Sequence, residues 1–284
     1  MIPAAFDYIR PSTVDAAVAA LASAGEDGKV LAGGQSLLPV LRMRLADPSV
    51  LVDVSRLDSL RGVRDDGDAI EIGAMTTHAD VLADPLVAAH APLLAQAAAT
   101  VGDRQVRHLG TLGGSLSHAD PAGDLPTIAL TLDAVLTVVG PSGSRTVPAA
   151  DFFVDYLTTA LGPDELLTSV RIPKLDGWTT HYEKFNRAAQ AWAIVGVAAA
   201  VRRSNGSIAE ARVGLTNMGS TPLRASAVEQ ALAGAAASAD AVRAAAEHAA
   251  EGTHAPSDLG GAADYREHLA TVLTRRAVLT AAGM

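Results

Sequence analysis

The chain has 284 residues, 49% apolar and 19% charged, enough for a sizeable core in two or three compact lobes. Its formal charge of −9 argues against nucleic acid or an anionic membrane surface as main partner, but not against a small anionic ligand held by local N–H groups. It contains no cysteine, which removes disulfides, thiolate nucleophiles, cysteine-ligated zinc and iron–sulfur clusters together.

The opening MIPAAFDYIRPSTVDAAV lacks a basic segment leading into an apolar core, so no secretory signal is expected. No stretch reaches about eighteen uninterrupted apolar residues, so no membrane span is expected either. The chain reads as a cytoplasmic, soluble protein.

Ser12-Thr13-Val14-Asp15 has the form of a capping box, predicting a helix that runs through Ala16–Ala24 and stops at Gly25. KVLAG predicts a buried strand, SLLPVLRMRLA a helix and SVLVDVS another strand, making a small β-α-β-α-β unit. Pro39 fits that helix if Ser36 is its cap, since the first turn has no use for the missing N–H. The pattern changes at Asp58. AIEIGAM predicts a strand, and residues 77–101 two helical pieces broken at Pro85 and Pro92. After a glycine-rich loop, Gly140-Pro141-Ser142-Gly143 predicts a turn between two strands, and ELLTSVRIPKLDG closes this lobe.

The last third holds three predicted strands, THYEKFNR, AIVGVAAAVRR and SIAEARVGLTNMG. Ser204-Asn205-Gly206 is a hairpin signal between the second and third. From Ala225 the chain is alanine-rich and predicted helical to its end. The fold class is therefore α+β in three lobes: a small N-terminal α/β lobe (1–57), a larger α/β middle lobe (58–176) and a C-terminal antiparallel sheet with helices (177–284).

Two glycine stretches carry the functional reading. Leu31-Ala32-Gly33-Gly34-Gln35-Ser36-Leu37-Leu38 follows a strand and opens a helix, so it offers bare N–H groups, a hydroxyl and a partial positive charge. Taken alone, it is better explained as a tight turn that needs glycine for geometry. It is not G-x-G-x-x-G, lacks the lysine of a P-loop, and has leucine where a nucleophile elbow needs glycine. The second stretch, Thr111-Leu112-Gly113-Gly114-Ser115, repeats the chemistry with hydroxyls and bare backbone N–H groups in a loop. It leads into His118-Ala119-Asp120-Pro121-Ala122-Gly123-Asp124, a run of turns. Two such loops suit a ligand with two phosphates held between lobes, and a loop aspartate at 124 suits its sugar or ribityl hydroxyls.

AGGQSLLPVLRMRLADPSVLVDVS and VRHLGTLGGSLSHADPAGDLPTIALTLDA resemble the two signature segments of the FAD-binding medium subunit of molybdenum hydroxylases, the carbon monoxide and xanthine dehydrogenase family. The resemblance continues through ELLTSVRIP, HYEKF and AWAIVGVAAAV to DYREHLATVLTRRAV, covering nearly the whole chain in order. It implies a three-lobed FAD-binding fold, with Leu31–Leu38 and Thr111–Ser115 on the FAD pyrophosphate and flanking groups. It further implies apolar contacts from Val101 and Leu167, an acidic contact from Asp124 and a basic one from Lys184. By itself, Lys184 would read as an exposed strand lysine. Trp192 lies where some members place an aromatic near the flavin; a strand-packing tryptophan is the equal alternative. Carbon monoxide dehydrogenases often have histidine where this chain has Gln35, and asparagine is common in the family where it has Ser115.

The eight histidines show no ligand spacing, so no metal is expected; His118 reads as a solvated or hydrogen-bonded loop residue. Asp65 and Asp66 fall beside a glycine and read as solvated. No residue is singled out as catalytic. Without cysteine the chain cannot carry an iron–sulfur relay, so the resemblance implies electrons arriving from a small [2Fe–2S] subunit. The substrate is then oxidised at the molybdenum cofactor of a large subunit. FAD would pass electrons to quinone, NAD or oxygen, in a dimer of heterotrimers. The resemblance favours an aerobic carbon monoxide dehydrogenase. The alternatives are a self-contained flavin oxidoreductase of the same fold and a non-catalytic nucleotide-binding module.

Overall fold

The computed structural model describes residues 2–284. Helix α1 (Val14–Ala24) starts where the capping signal lies: the Thr13 hydroxyl accepts the Ala16 N–H at 3.1 Å, and Gly25 ends the helix at φ 60°. Strands β1 (Asp7–Ile9), β2 (Gly28–Leu31) and β3 (Val50–Asp53) form a parallel sheet in the order β1-β3-β2. The second and third are the expected strands. β1 carries no signal in the sequence because all three of its residues are exposed and nothing alternates. Val52 and Val54 pack with Ala17, Val18 and Leu21 of α1, and the same cluster includes Met75 and Leu166 from farther along the chain.

Helix α2 (Leu37–Met43) is shorter than expected. Arg44 turns left-handed at φ 56° and returns its N–H to Leu41, which stops the helix. Pro39 sits in the first turn, but Ser36 does not cap: it has helical dihedrals and its hydroxyl makes no capping bond.

The middle sheet is antiparallel, in the order β4-β5-β10-β6-β7. Its strands are β4 (Val63–Asp66), β5 (Ala69–Gly73), β6 (Val135–Gly140), β7 (Gly143–Pro148) and, after a small hairpin of β8 (Phe153–Asp155) and β9 (Thr158–Thr159), β10 (Leu166–Pro173). Between β5 and β6 run α3 (His78–Ala83), α4 (Pro85–His90), α5 (Pro92–Ala99), α6 (Arg104–Leu109), α7 (Leu112–His118) and α8 (Asp124–Thr131); α9 (Ala149–Phe152) follows β7. Residues 78–99 form three helical pieces rather than two, because Pro85 and Pro92 each begin a helix. Alternate residues Ile70, Ile72, Leu136, Val138, Val170 and Ile172 turn one face of the sheet onto Leu93, Leu94, Leu116, Leu125 and Ile128, forming the main core.

The C-terminal sheet is antiparallel: β11 (Thr179–Phe185), β12 (Val195–Ser204), β13 (Ser207–Thr216) and β14 (Leu223–Arg224). Asn205 at φ 49° and Gly206 at φ 79° make the tight hairpin turn between β12 and β13. The run VAAAV in β12 is buried on both faces, Ala198 and Ala200 toward the middle core and Val197, Ala199 and Val201 toward the C-terminal helices. Those helices are α10 (Ser226–Leu232), α11 (Ala239–Ala246) and α12 (Ala263–Ala281). Unlike the continuous helical region expected, an irregular stretch separates α11 from α12. The wholly buried Arg266 organises it, bonding the Ile194 carbonyl and the Asp258 carboxylate.

Candidate functional site

The two glycine stretches meet. A Cβ on Gly33 would lie 2.1 Å from the Leu109 carbonyl oxygen, so only glycine lets the first loop lie against the chain that opens the second motif. A Cβ on Gly114 would come within 3.6 Å of Ala32, so the motifs face each other directly.

Their chemistry differs from expectation. In the first loop, the amides of Gly33, Gly34, Gln35 and Ser36 find no hydrogen-bond acceptor among the described residues. Gly34 takes φ 72°, and the Gln35 side-chain amide folds back on the Gly33 carbonyl at 3.2 Å. A row of free, partly exposed N–H groups with a left-handed glycine is a backbone able to hold an anion. Leu31 ends β2, while Leu37 and Leu38 begin α2.

The second stretch is not a loop of bare amides. It opens α7, and the N–H groups of residues 112–115 are already used: Leu112 donates to Thr76 at 3.0 Å, Gly113 to Ala74 at 2.8 Å, Gly114 to the Thr111 hydroxyl at 3.1 Å and Ser115 to the Thr111 carbonyl at 3.0 Å. What remains is a smooth wall. Gly113 has no room for a side chain, since its Cβ would meet Ala74 at 2.5 Å. The motif thus contributes close approach and the hydroxyls of Thr111 and Ser115.

Asp124 and Lys184 are also placed differently. Asp124 is not in a loop but in the first turn of α8, 4% exposed. Its Oδ2 takes the Lys184 ammonium at 2.8 Å and its Oδ1 takes the Tyr182 hydroxyl at 2.6 Å. With 5% of its side chain exposed, Lys184 is no surface lysine, and it also donates to the Thr100 carbonyl at 3.2 Å. Burial raises the Asp124 carboxyl pKa, opposed by the lysine and by the tyrosine hydroxyl.

Lys184 leads to the neighbouring loops. Val101 stands partly buried next to Thr100, its carbonyl held by Arg107 at 2.9 Å, and Gln190 bonds Asp103 at 2.7 Å. Asn217, left-handed at φ 63°, donates its N–H to Pro121 at 2.9 Å and its side-chain amide to Ala193 at 2.8 Å. Three separate segments, around 100–103, 119–124 and 190–194, are thereby gathered at one end of the site. Trp192 lies there in a loop and is 53% exposed, which removes the strand-packing alternative. Leu167 is buried in β10 within the middle core.

Two further residues at the site, Tyr182 and His78, differ in how far the sequence marks them. The spacing Tyr182-x-Lys184 puts two polar side chains on one strand face, a signal available in the sequence. His78 had none, because its neighbours come from the Gly110 turn. Its amide donates to the Gly110 carbonyl at 2.9 Å and its Nδ1 has no partner among the described residues. Burial, with the nearby Arg107 charge, lowers its pKa to about 4. Between that value and the unfolded value near 6.5 the unfolded chain binds a proton that the native state refuses, so stability falls as pH drops through this window. Chemical denaturation should show a loss of about 3 kcal/mol attributable to this group between pH 6.5 and 4. His78→Gln should flatten the slope between pH 6.5 and 5.

Asp65 and Asp66 are paired rather than merely solvated, with Lys174 and Arg171, each at 2.7 Å. His118 stands 4.0 Å from Asp120. A separate cleft of about 350 Å³ lies on the outer face of the middle sheet, lined by Arg61, Arg64, Glu71, Thr137 and Ser169, and shares no residue with the glycine motifs. No helix among the described residues is long and apolar enough to cross a membrane.

Two facing glycine motifs, one of them with free amides, make a candidate site for a phosphate-bearing ligand. Residues 4–175 match the FAD binding domain in molybdopterin dehydrogenase, and residues 180–281 the CO dehydrogenase flavoprotein C-terminal domain. The chain belongs to the FAD-binding medium subunits of the molybdenum hydroxylases. It is 40% identical to the carbon monoxide dehydrogenase medium chain of Hydrogenophaga pseudoflava, over 98% of this chain and 97% of the relative. It is 36% identical to the glyceraldehyde dehydrogenase medium chain of Sulfolobus acidocaldarius, over 98% of each. The solved reconstituted CO dehydrogenase of Oligotropha carboxidovorans matches with a TM-score of 0.97 and 39% identity, over 100% of this chain and 99% of that one.

Proposed function

We propose that this chain relays electrons through FAD in an aerobic carbon monoxide dehydrogenase. It would receive them from the [2Fe–2S] clusters of a small subunit and pass them to quinone, NAD or oxygen. The observation that carries this reading is the row of free amides at Gly33–Ser36 facing the smooth wall of α7, with a buried lysine at the other end and no cysteine in the chain. FAD, when bound, supplies the electron storage; the protein supplies position and charge.

The site fits FAD. The amides of Gly33–Ser36 would hold the pyrophosphate between the lobes at 1–57 and 58–176, with Ser36 and Ser115 adding hydroxyls. Leu31, Ala32, Leu37 and Leu38 would flank it, and Thr111–Gly114 would form the opposite wall. Val101, Leu167 and Trp192 would make the apolar contacts. Lys184 would place positive charge at the flavin end, near the lobe at 177–284, where it favours the reduced anionic form. Asp124 would hold that lysine and complete the polar contacts.

Medium chains named for carbon monoxide and for glyceraldehyde are similarly close to this one, which supports a substrate site outside the chain. That site would be the molybdenum cofactor of a large subunit, the assembly being a cytoplasmic dimer of heterotrimers. Stopped-flow measurement of flavin bleaching by carbon monoxide tests the reading. The isolated FAD-loaded chain should show no rapid bleaching, and the complex with its iron–sulfur and molybdenum subunits should. Fast bleaching of the lone chain would instead mark a self-contained flavin oxidoreductase.

A further inference from the structure

We infer that Tyr182 is a positioning residue for the cofactor, orienting Asp124 and through it the Lys184 ammonium at the flavin end; this rests on the FAD reading above. Tyr182 and Lys184 are two residues apart on β11 and so share a face, and each takes one oxygen of the same carboxylate. Asp124 is thereby gripped at two points, and its oxygens cannot rotate without losing a bond.

The direction of the tyrosine's bond is set by its acceptor, since a carboxylate has no proton to give. Thr127 gives its hydroxyl proton to the Leu215 carbonyl at 3.3 Å, and Thr216 gives its own to the Thr127 hydroxyl at 2.8 Å. Tyr182, 3.2 Å from Thr216, keeps its single proton for Asp124. All three hydroxyl residues are buried, so no water competes for these protons. Gly196 on β12 makes the arrangement possible, since a Cβ there would come within 2.5 Å of the tyrosine oxygen. With its remaining bonds going to Thr100 and Asp124, the lysine stays fixed only while the carboxylate does.

The test uses the full chain, stripped of flavin and titrated with FAD. Tyr182→Phe keeps the ring and removes the donor, so FAD should bind about tenfold more weakly, the scale of one charge-assisted hydrogen bond. The midpoint potential of the bound flavin should fall, because the ammonium is held less firmly. In a Lys184→Met background, Tyr182→Phe should change neither quantity further. Additive losses in the double variant, or unchanged affinity and potential in Tyr182→Phe, would overturn the inference. Should Tyr182→Phe not fold, Gly196→Ala displaces the hydroxyl instead, since its Cβ would lie 2.5 Å from the tyrosine oxygen. It should produce a smaller loss of the same kind, again absent with Lys184→Met, and no loss would count against the inference. Failure of the unmodified chain to take up FAD would sink the underlying reading, and this inference with it.

Discussion

Gly33→Ala and Gly34→Val should each leave a protein that purifies without flavin. At position 33 the added carbon would lie 2.1 Å from the Leu109 oxygen and 2.9 Å from the Gly110 Cα. Both are backbone atoms and cannot swing aside as a side-chain tip would, so the first loop must lift away from the second motif. At position 34 the obstacle is conformational. The residue sits at φ 72°, where a β-branched side chain is strained by roughly 1–2 kcal/mol or more, and its Cβ would lie 3.0 Å from Leu38. Either change disturbs the backbone that carries the free amides. Gln35→His should be mild, because the position contributes its backbone N–H. The ratio of flavin to protein absorbance in the purified chain decides it, and stoichiometric flavin in both glycine variants would mean that this loop is not the pyrophosphate site.

Asp124→Ala should destabilise the whole protein, not only its hold on FAD. Lys184 would keep its charge with 5% of its side chain exposed and lose its counter-ion, and the Tyr182 hydroxyl would lose its acceptor. Removing one partner of a buried pair costs about 3–5 kcal/mol. Denaturant unfolding of the flavin-free chain should show that loss. The double change Asp124→Ala with Lys184→Met should recover part of it, since no buried charge is then stranded. Unaltered stability in the single variant would mean that water reaches the lysine.

Much of the framework was legible from local chemistry. Gly25, Pro85, Pro92 and the Asn205-Gly206 turn each act within a few residues, so their positions are readable from the chain alone. β1 was not, because three exposed residues have no periodicity. The glycine motifs were readable as motifs but not in their separate uses. Whether the amides of residues 112 and 113 are free depends on the carbonyls of Thr76 and Ala74, which are far away in sequence. Asp124 looked like a loop residue because a turn precedes it and its partners lie 58 and 60 residues downstream. The assignments at Val101, Leu167 and Lys184 came from family resemblance; no spacing in this chain implies them.

The ties at Thr100 and Pro121 also fix an order of events. Both segments belong to the first half of the chain, yet the groups that hold them, Lys184 and Asn217, belong to the second. A nascent chain halted at residue 176 would carry every glycine of both motifs and still leave these two segments slack. On the ribosome, the double-glycine end of the site can therefore form before the end around Lys184. The complete set of ties around Asp124 must wait for β13 and Asn217 beyond it to be synthesised.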